Sequence, residues 1–397
     1  MIQEKKNFVW NLLGLTFNSF NSLFFLIVVK RINGLEIAGS FSFAYAIACL
    51  LYIVSIYYTR AYQVSNDEYK ASDFVYSRCV SCILMFLISL ILCMISPKKI
   101  DKFLIVLLCL FRNVEAMADV FYGEFHRENR LDYAGKSLFI KALLGVSLFF
   151  ITDIYSHSII LAVCSLILVN IIGLVIDYLN YKKYRTIEAF NWKKIYTLFK
   201  SSRAIFIFSF VSILLVNMQK YFIPFFEGDS AEAIFSIIIM PGTMMSLCGQ
   251  YLLNPYMTYF NEQEKEKNYN KIKKRLVYLL IVLGIFSLFA SLMLITVGIP
   301  ILNMIYAMDT KIYRLLFVLV ILGAGFYSMS VLISSVLTIM KENSVQLKIY
   351  TISTMICLIS SYVFIKYGGI QGAVYSYMTT MGIHFLEYLI IFIKRTK

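Results

Sequence analysis

The stretch FLIVLLCLFRNVEAMADVFYGEFHRENRLDYAGKSLFIK, Phe103 to Lys141, decides how the rest of the chain is read. Its first turns, through Leu104, Ile105, Leu107, Leu108 and Leu110, have the apolar density of a membrane span. Arg112, Glu115 and Asp119 then follow at spacings that place all three side chains on one helical stripe. An arginine or aspartate at that depth costs roughly 2.5–3.5 kcal/mol on insertion scales. A helix carries such a stripe when it faces a protein interior or a watery cavity, and ionisable groups there point first to a functional pathway. The competing reading is an Arg112/Glu115 ion pair that neutralises itself and helps helices dock. Beyond the stripe the segment surfaces in a dense polar loop with Arg127, Arg130 and Lys136.

Outward from this segment, apolar runs recur along all 397 residues; the chain is 60% hydrophobic, with a mean hydropathy of +0.74. That composition excludes a soluble domain and points to an all-α polytopic membrane protein. Twelve spans are expected, at about 8–29, 37–58, 79–96, 103–123, 138–154, 159–179, 204–226, 231–259, 276–298, 313–340, 349–365 and 370–393. An even number puts both termini on one side. Of the 37 lysines and arginines, 27 then fall on the side of the termini and 9 on the other, with Arg112 inside a span. Basic loops stay in the cytoplasm, so both termini are expected there, and the net charge of +14 reads as a topology signal rather than a nucleic-acid surface. The N-terminal apolar run lacks a small-residue cleavage site and reads as a first span.

The spans divide six and six around the basic stretch 181–203, which contains Trp192, giving an N-terminal lobe 1–180, a cytoplasmic linker 181–203 and a C-terminal lobe 204–397. At an offset of 194 residues Gly34, Phe41 and Ser42 correspond to Gly228, Phe235 and Ser236. This is the pattern of two parallel repeats, with substrate expected in a central cavity between lobes. Asn11, Asn18 and Asn21 form a polar stripe on the first span, suited to lining that cavity or to interhelical hydrogen bonding. Lys220, inside the outer end of the seventh span, serves an anion site or snorkels outward. Pro241-Gly242, followed by Gln250, Asn254 and Pro255, reads as an interruption of the eighth span. His384 and Glu387, three apart in the last span, form a proton relay or an interfacial pair.

Enzyme chemistry finds no support. There is no Gly-rich phosphate loop, the histidines His126, His157 and His384 lack metal-ligand spacing, and the eight cysteines sit in or beside apolar runs. No metal, cofactor or nucleic acid is expected.

A set of short motifs sharpens the reading. Arg112, Glu115, Asp119-Val120, Tyr122-Gly123, Arg130-Leu131-Asp132, Gly135-Lys136-Ser137 and Lys141 resemble a segment of the bacterial polysaccharide flippases. These form the O-antigen and capsule branch of the multidrug/oligosaccharidyl-lipid/polysaccharide exporter superfamily. Trp10-Asn11, Ala38-Gly39, Phe41-Ser42, Arg60 with Tyr62-Gln63-Val64-Ser65, Tyr367-Gly368 and Gly372-Ala373 extend the resemblance over nearly the whole chain.

The resemblance implies a multi-pass protein of the bacterial inner (plasma) membrane. Such a protein moves an undecaprenyl-diphosphate-linked oligosaccharide, an O-antigen or capsule repeat unit, from the cytoplasmic to the outer leaflet by alternating access. Arg112, Lys220 and Arg60 are then the expected partners of the diphosphate, and Asn18 and Asn21 of the polar substrate. Glu115 and Asp119 are the expected proton or sodium coupling acids. Arg112 reaches Glu115 one turn away, which leaves Asp119 to hold the exchangeable proton. Further partners are membrane lipids and the polymerase and glycosyltransferases of the same pathway. The runner-up is a cation-coupled multidrug or small-molecule antiporter of the same superfamily. A lipid-linked glycosyltransferase or polysaccharide polymerase, a different class, calls for sizeable external loops that the span pattern does not leave room for.

Overall fold

A chain in hydrocarbon must satisfy its backbone polar groups within each segment, and long apolar runs therefore fold as helices. The computed structural model describes residues 2–95, 101–184, 188–253, 256–340 and 342–396, and among these there is no strand. Two compact units result, Met1–Ile213 and Leu214–Lys397. The boundary falls inside a helix that begins at Trp192, so the second half of the expected linker is helical and continuous with the seventh span.

The first unit contains α1 (Ile2–Ile56), the short α2 (Arg60–Ser65), α3 (Ala71–Ile95), α4 (Lys102–Arg127), α5 (Leu131–Ser156), α6 (Ile159–Tyr181) and the start of α7 (Trp192–Phe226). α1 is two spans joined at Gly34, whose φ of 89° and ψ of −177° lie in a region only glycine enters freely. Gly228, its counterpart in the offset of 194, has a φ of 86° and stands between α7 and α8 (Asp229–Leu253). The two glycines thus make the same left-handed break between the first two spans of each half. Phe41 and Phe235 are both buried beyond it. α1 and α5 cross where Gly14 meets Gly135; a Cβ on Gly14 would lie 2.4 Å from the Gly135 carbonyl oxygen.

The second unit continues with α8, α9 (Met257–Lys265), α10 (Tyr269–Met293), α11 (Ile299–Tyr306), α12 (Arg314–Ile339) and α13 (Asn343–Arg395). α13 is again two spans, broken at Gly369 with φ 53°. One π-helical turn, Leu294–Gly298, joins α10 to α11 just before Pro300, whose missing N–H disrupts the normal ladder.

The described residues provide twelve spans. Eight apolar stretches of described helix are long enough to cross a membrane, and two of them, Lys6–Ser65 and Val345–Arg395, each hold two spans. α8 is an eleventh and α4, which carries Arg112, Glu115 and Asp119 along its apolar length, the twelfth.

Two expectations need correction. Pro241 does not interrupt the eighth span: α8 runs through it to Leu253, and Gly242 packs against α12, where a Cβ would meet Val320 Cγ1 at 2.6 Å. Proline removes one backbone donor, which a packed helix tolerates. Asn254, Pro255 and the Gln250 side chain lie outside the described residues. The third span starts at Ala71, not Cys79, and carries Arg78 into the helix as a fully buried side chain.

Candidate functional site

Asp101 caps α4, its carboxylate accepting from the Leu104 N–H at 3.0 Å, and Asn129 in the left-handed region closes the turn after the helix. Between these ends the charged stripe faces α1. Arg112 Nη1 donates to Glu115 Oε2 at 2.5 Å, and Nη2 donates to Tyr45 Oη at 2.6 Å and meets Cys49 Sγ at 3.0 Å. Its guanidinium also lies 4.7 Å from the ring centre of Tyr45 and 5.5 Å from that of Tyr52. Tyr45, Cys49 and Tyr52 are spaced to share one face of α1, which wraps the cation in aromatic surface.

One turn on, Asp119 Oδ1 accepts from Arg60 Nη2 at 2.5 Å and from Nε at 3.1 Å. Asp119 Oδ2 is turned to Arg78, with Nη2 3.7 Å away. α2 makes the first contact available: Thr59 caps it, accepting from the Tyr62 N–H, and folds Arg60 back toward α4. The premise that Asp119 lacks a cation is thus corrected. Arg112 neutralises Glu115, while Arg60 and Arg78, 59 and 41 positions before Asp119 in the chain, meet the second carboxylate.

A third carboxylate, Asp177 of α6, gathers its donors on Oδ2: Lys141 Nζ at 3.0 Å, Ser137 Oγ at 2.9 Å and Tyr122 Oη at 3.0 Å. Tyr122 links this cluster to the previous one, with Lys141 Nζ 5.0 Å and the Arg60 guanidinium 5.4 Å from its ring centre. The aliphatic stem of Lys141 crosses α6 at Gly173, where a Cβ would fall 2.3 Å from Lys141 Cδ.

These residues enclose a cavity of about 150 Å³ in the first unit. It is lined by Arg60, Arg112, Glu115, Asp119, Asn18 and Asn21, all marked in the sequence, and by Tyr52, Tyr122, Lys141 and Asn170 among others. Asn21 donates to Asn18 at 3.1 Å, so the two amides form one wall. Three cations and two carboxylates line the cavity, Arg112 paired with Glu115 and Arg60 with Asp119, while the partner of Lys141, Asp177, does not line it. The volume is about that of five water molecules, a fit for a small anionic group and below the usual size of a drug pocket. A larger, open depression of about 970 Å³ is lined by Asp67, Lys70, Lys182, Lys183 and Glu188; these are exposed, and Lys70 is paired with Glu188 at 2.8 Å.

Lys220 is not brought to this cavity. It lies on α7 in the second unit, half-buried, with no ion-pair partner among the described residues. His384 and Glu387 are joined through a third group: Ser353 Oγ donates to Glu387 Oε2 at 2.5 Å and lies 2.8 Å from His384 Nδ1.

Arg78, Asp177 and the Tyr45–Tyr52 face were not singled out in the sequence. Asp177 is a lone acid in the apolar run IIGLVIDY, the same signal that marked Asp119. Arg78 was masked by its place at the edge of a polar loop.

No protein-family model matches the chain. A curated relative, the capsular polysaccharide biosynthesis protein CapF of Staphylococcus aureus, is 21% identical over 378 residues, 93% of this chain and 94% of the relative. Among solved structures, the MATE transporter VcmN of Vibrio cholerae in its bent form aligns with a TM-score of 0.63 at 15% identity, covering 99% of this chain and 97% of that one. A transporter of the MOP superfamily from Pyrococcus furiosus aligns at 0.61 and 13% identity, covering 99% and 95%. Its binding pocket is described as reversed in polarity, suggesting a different function for that protein. The chain has the fold of these transporters.

Proposed function

We propose that the chain is a transporter of the bacterial plasma membrane that carries a phosphate-bearing anionic substrate, a polyprenyl-diphosphate-linked oligosaccharide, between leaflets by alternating access. The observation that carries this reading is the cavity's lining: Arg112, Arg60 and Lys141 border it with only two acids, because Asp177, the partner of Lys141, does not line it. A guanidinium offers the planar donor pair that suits phosphate oxygens. Arg112 and Arg60 bind the anion in this scheme, and Asn18 and Asn21 take neutral oxygens. The likeness to a capsular polysaccharide protein supports the glycan end of the substrate.

The similar solved structures favour a second reading at least as strongly, a cation-coupled multidrug antiporter with Glu115 and Asp119 as coupling acids, because MATE transporters share the fold. The two readings predict opposite ligands. Purified protein in nanodiscs is titrated with inorganic pyrophosphate, geranyl diphosphate and ethidium. The anionic reading expects both diphosphates to bind and ethidium not to bind. Proton-sensitive ethidium binding with no diphosphate affinity would establish the antiporter instead.

For orientation we propose cytoplasmic termini, two six-span lobes and a cytoplasmic 181–203 linker, supported by the 27-to-9 distribution of basic residues. A single cysteine at position 192, in a protein stripped of its own cysteines, stays unlabelled by impermeant reagent in intact cells. Labelling there reverses the orientation.

A further inference from the structure

Arg78 is the largest buried charge that the proposed function leaves unused. Its side chain has no exposure, and it does not line the cavity. Nη1 donates to the Ser55 carbonyl at 3.2 Å, and the guanidinium lies 4.7 Å from the ring centre of Tyr58. Ser55 lies in the last turn of α1, so this bond satisfies one orphan carbonyl and sets a cation at a helix C-terminus. Capping explains one nitrogen. Nε and Nη2 have no hydrogen-bond partner among the described residues, and burying a charged group with spare donors is costly. The nearest anion is Asp119 Oδ2, 3.7 Å from Nη2, just beyond hydrogen-bond reach. Both bonds from Arg60 fall on the other oxygen, Oδ1.

The two arginines that share Asp119 differ in access. Arg60 lines the cavity with 23% of its side chain exposed, whereas Arg78 has none. An incoming anion can therefore compete for Arg60 and cannot reach Arg78. Once Arg60 turns to the anion, Asp119 needs a replacement partner within a side-chain adjustment of its present position. We propose that Arg78 is the standby counter-ion of Asp119: it accepts the carboxylate when an anionic group in the cavity takes Arg60, and so sets how readily Arg60 is released. The inference rests on the reading of the cavity as an anion site. It makes Arg78 a positioning residue that never touches the ligand.

The test is the affinity of purified, monodisperse protein for inorganic pyrophosphate in four forms: wild type, R78M, R78K and R78M/D119N. R78M holds Asp119 on Arg60 and binds pyrophosphate roughly tenfold more weakly, within the range of coupling between contacting charges. R78K keeps a cation beside Asp119 and stays within a few-fold of wild type. R78M/D119N removes the competing carboxylate and regains affinity, an outcome that a merely structural Arg78 does not produce, since two core changes then add. If R78M does not fold, R78Q, which can keep the bond to the Ser55 carbonyl but removes the charge, takes its place, with R78Q/D119N as the double variant. Wild-type affinity in R78M, or a double variant weaker than wild type to the same degree as R78M, overturns the inference. A wild type that does not bind pyrophosphate, with R60M and R112A equally inert, overturns the anion reading and the inference with it.

Discussion

The two units bury polar groups in contrasting ways. In the first, the interior holds ions: Arg112 with Glu115, Arg60 and Arg78 about Asp119, and Lys141 on Asp177. In the second, the described network is made largely of hydroxyls and amides. Ser376 meets Ser360 at 2.8 Å and Ser361 at 3.0 Å, and Gln346 donates to Ser334 and Thr338 at 3.1 and 2.8 Å. Neutral side-chain bonds between membrane helices contribute about 0.6 kcal/mol each. Buried ion pairs often stabilise less than apolar replacements of the same volume. An interior of ions is therefore poorly explained as glue, and the first unit is the better place to look for a ligand.

The sharpest way to break this comparison is Arg112→Ala. Losing its charged hydrogen bonds, at about 1.5–3 kcal/mol each, weakens pyrophosphate binding by roughly 10- to 150-fold in calorimetric titration. Arg112→Lys keeps the charge, loses the fork and falls between the two. Wild-type affinity in a well-folded Arg112→Ala protein removes the contrast altogether.

A second measure concerns stability. Lys141→Met strands Asp177 and costs about 3–5 kcal/mol, read as a drop in thermal midpoint in detergent. The double variant K141M/D177N recovers most of that loss, because no charge remains to be matched. Should the double variant be as unstable as the single one, the pair is holding the helices together and the first unit is no different in kind from the second.

Where the units agree, they should respond alike. Gly34→Ala and Gly228→Ala each place a side chain in open space but force a left-handed backbone. Each is expected to cost about 1–3 kcal/mol and to leave pyrophosphate affinity unchanged. Unequal losses in thermal midpoint show that the matched breaks do different jobs. The smallest effect is expected of Ser376→Ala in the second unit, about 1 kcal/mol over its bonds to Ser360 and Ser361; a loss several times larger gives that hydroxyl cluster a role beyond packing.

Much of the first unit's cavity was legible in the sequence because charges at membrane depth are conspicuous. Arg112, Glu115 and Asp119 announce themselves by period, and Arg60, Asn18 and Asn21 join them on the same wall. Pairing was not legible. Which cation meets Asp119 depends on how α2 and α3 fold back on α4, and neither Arg60 nor Arg78 is near it in sequence. Arg78 was lost for a specific reason: hydropathy marks where hydrocarbon begins, and α3 starts two turns earlier, inside the polar segment. Lys220 was legible only as a charge in an apolar helix; the sequence does not tell which wall it serves, and it does not line the first unit's cavity.

Gly173 carries no charge and does not line the cavity, yet it governs Lys141 by leaving its stem a path across α6. Among descendants of this chain, positions 141, 173 and 177 are therefore expected to change together. An alanine arriving at 173 displaces the long side chain at 141, and with the ammonium gone the acid at 177 is left to be shed. A neutral-looking drift of one methyl group can thus erase a cation from the cavity wall, and a substrate change in this lineage can begin at a residue that no ligand touches.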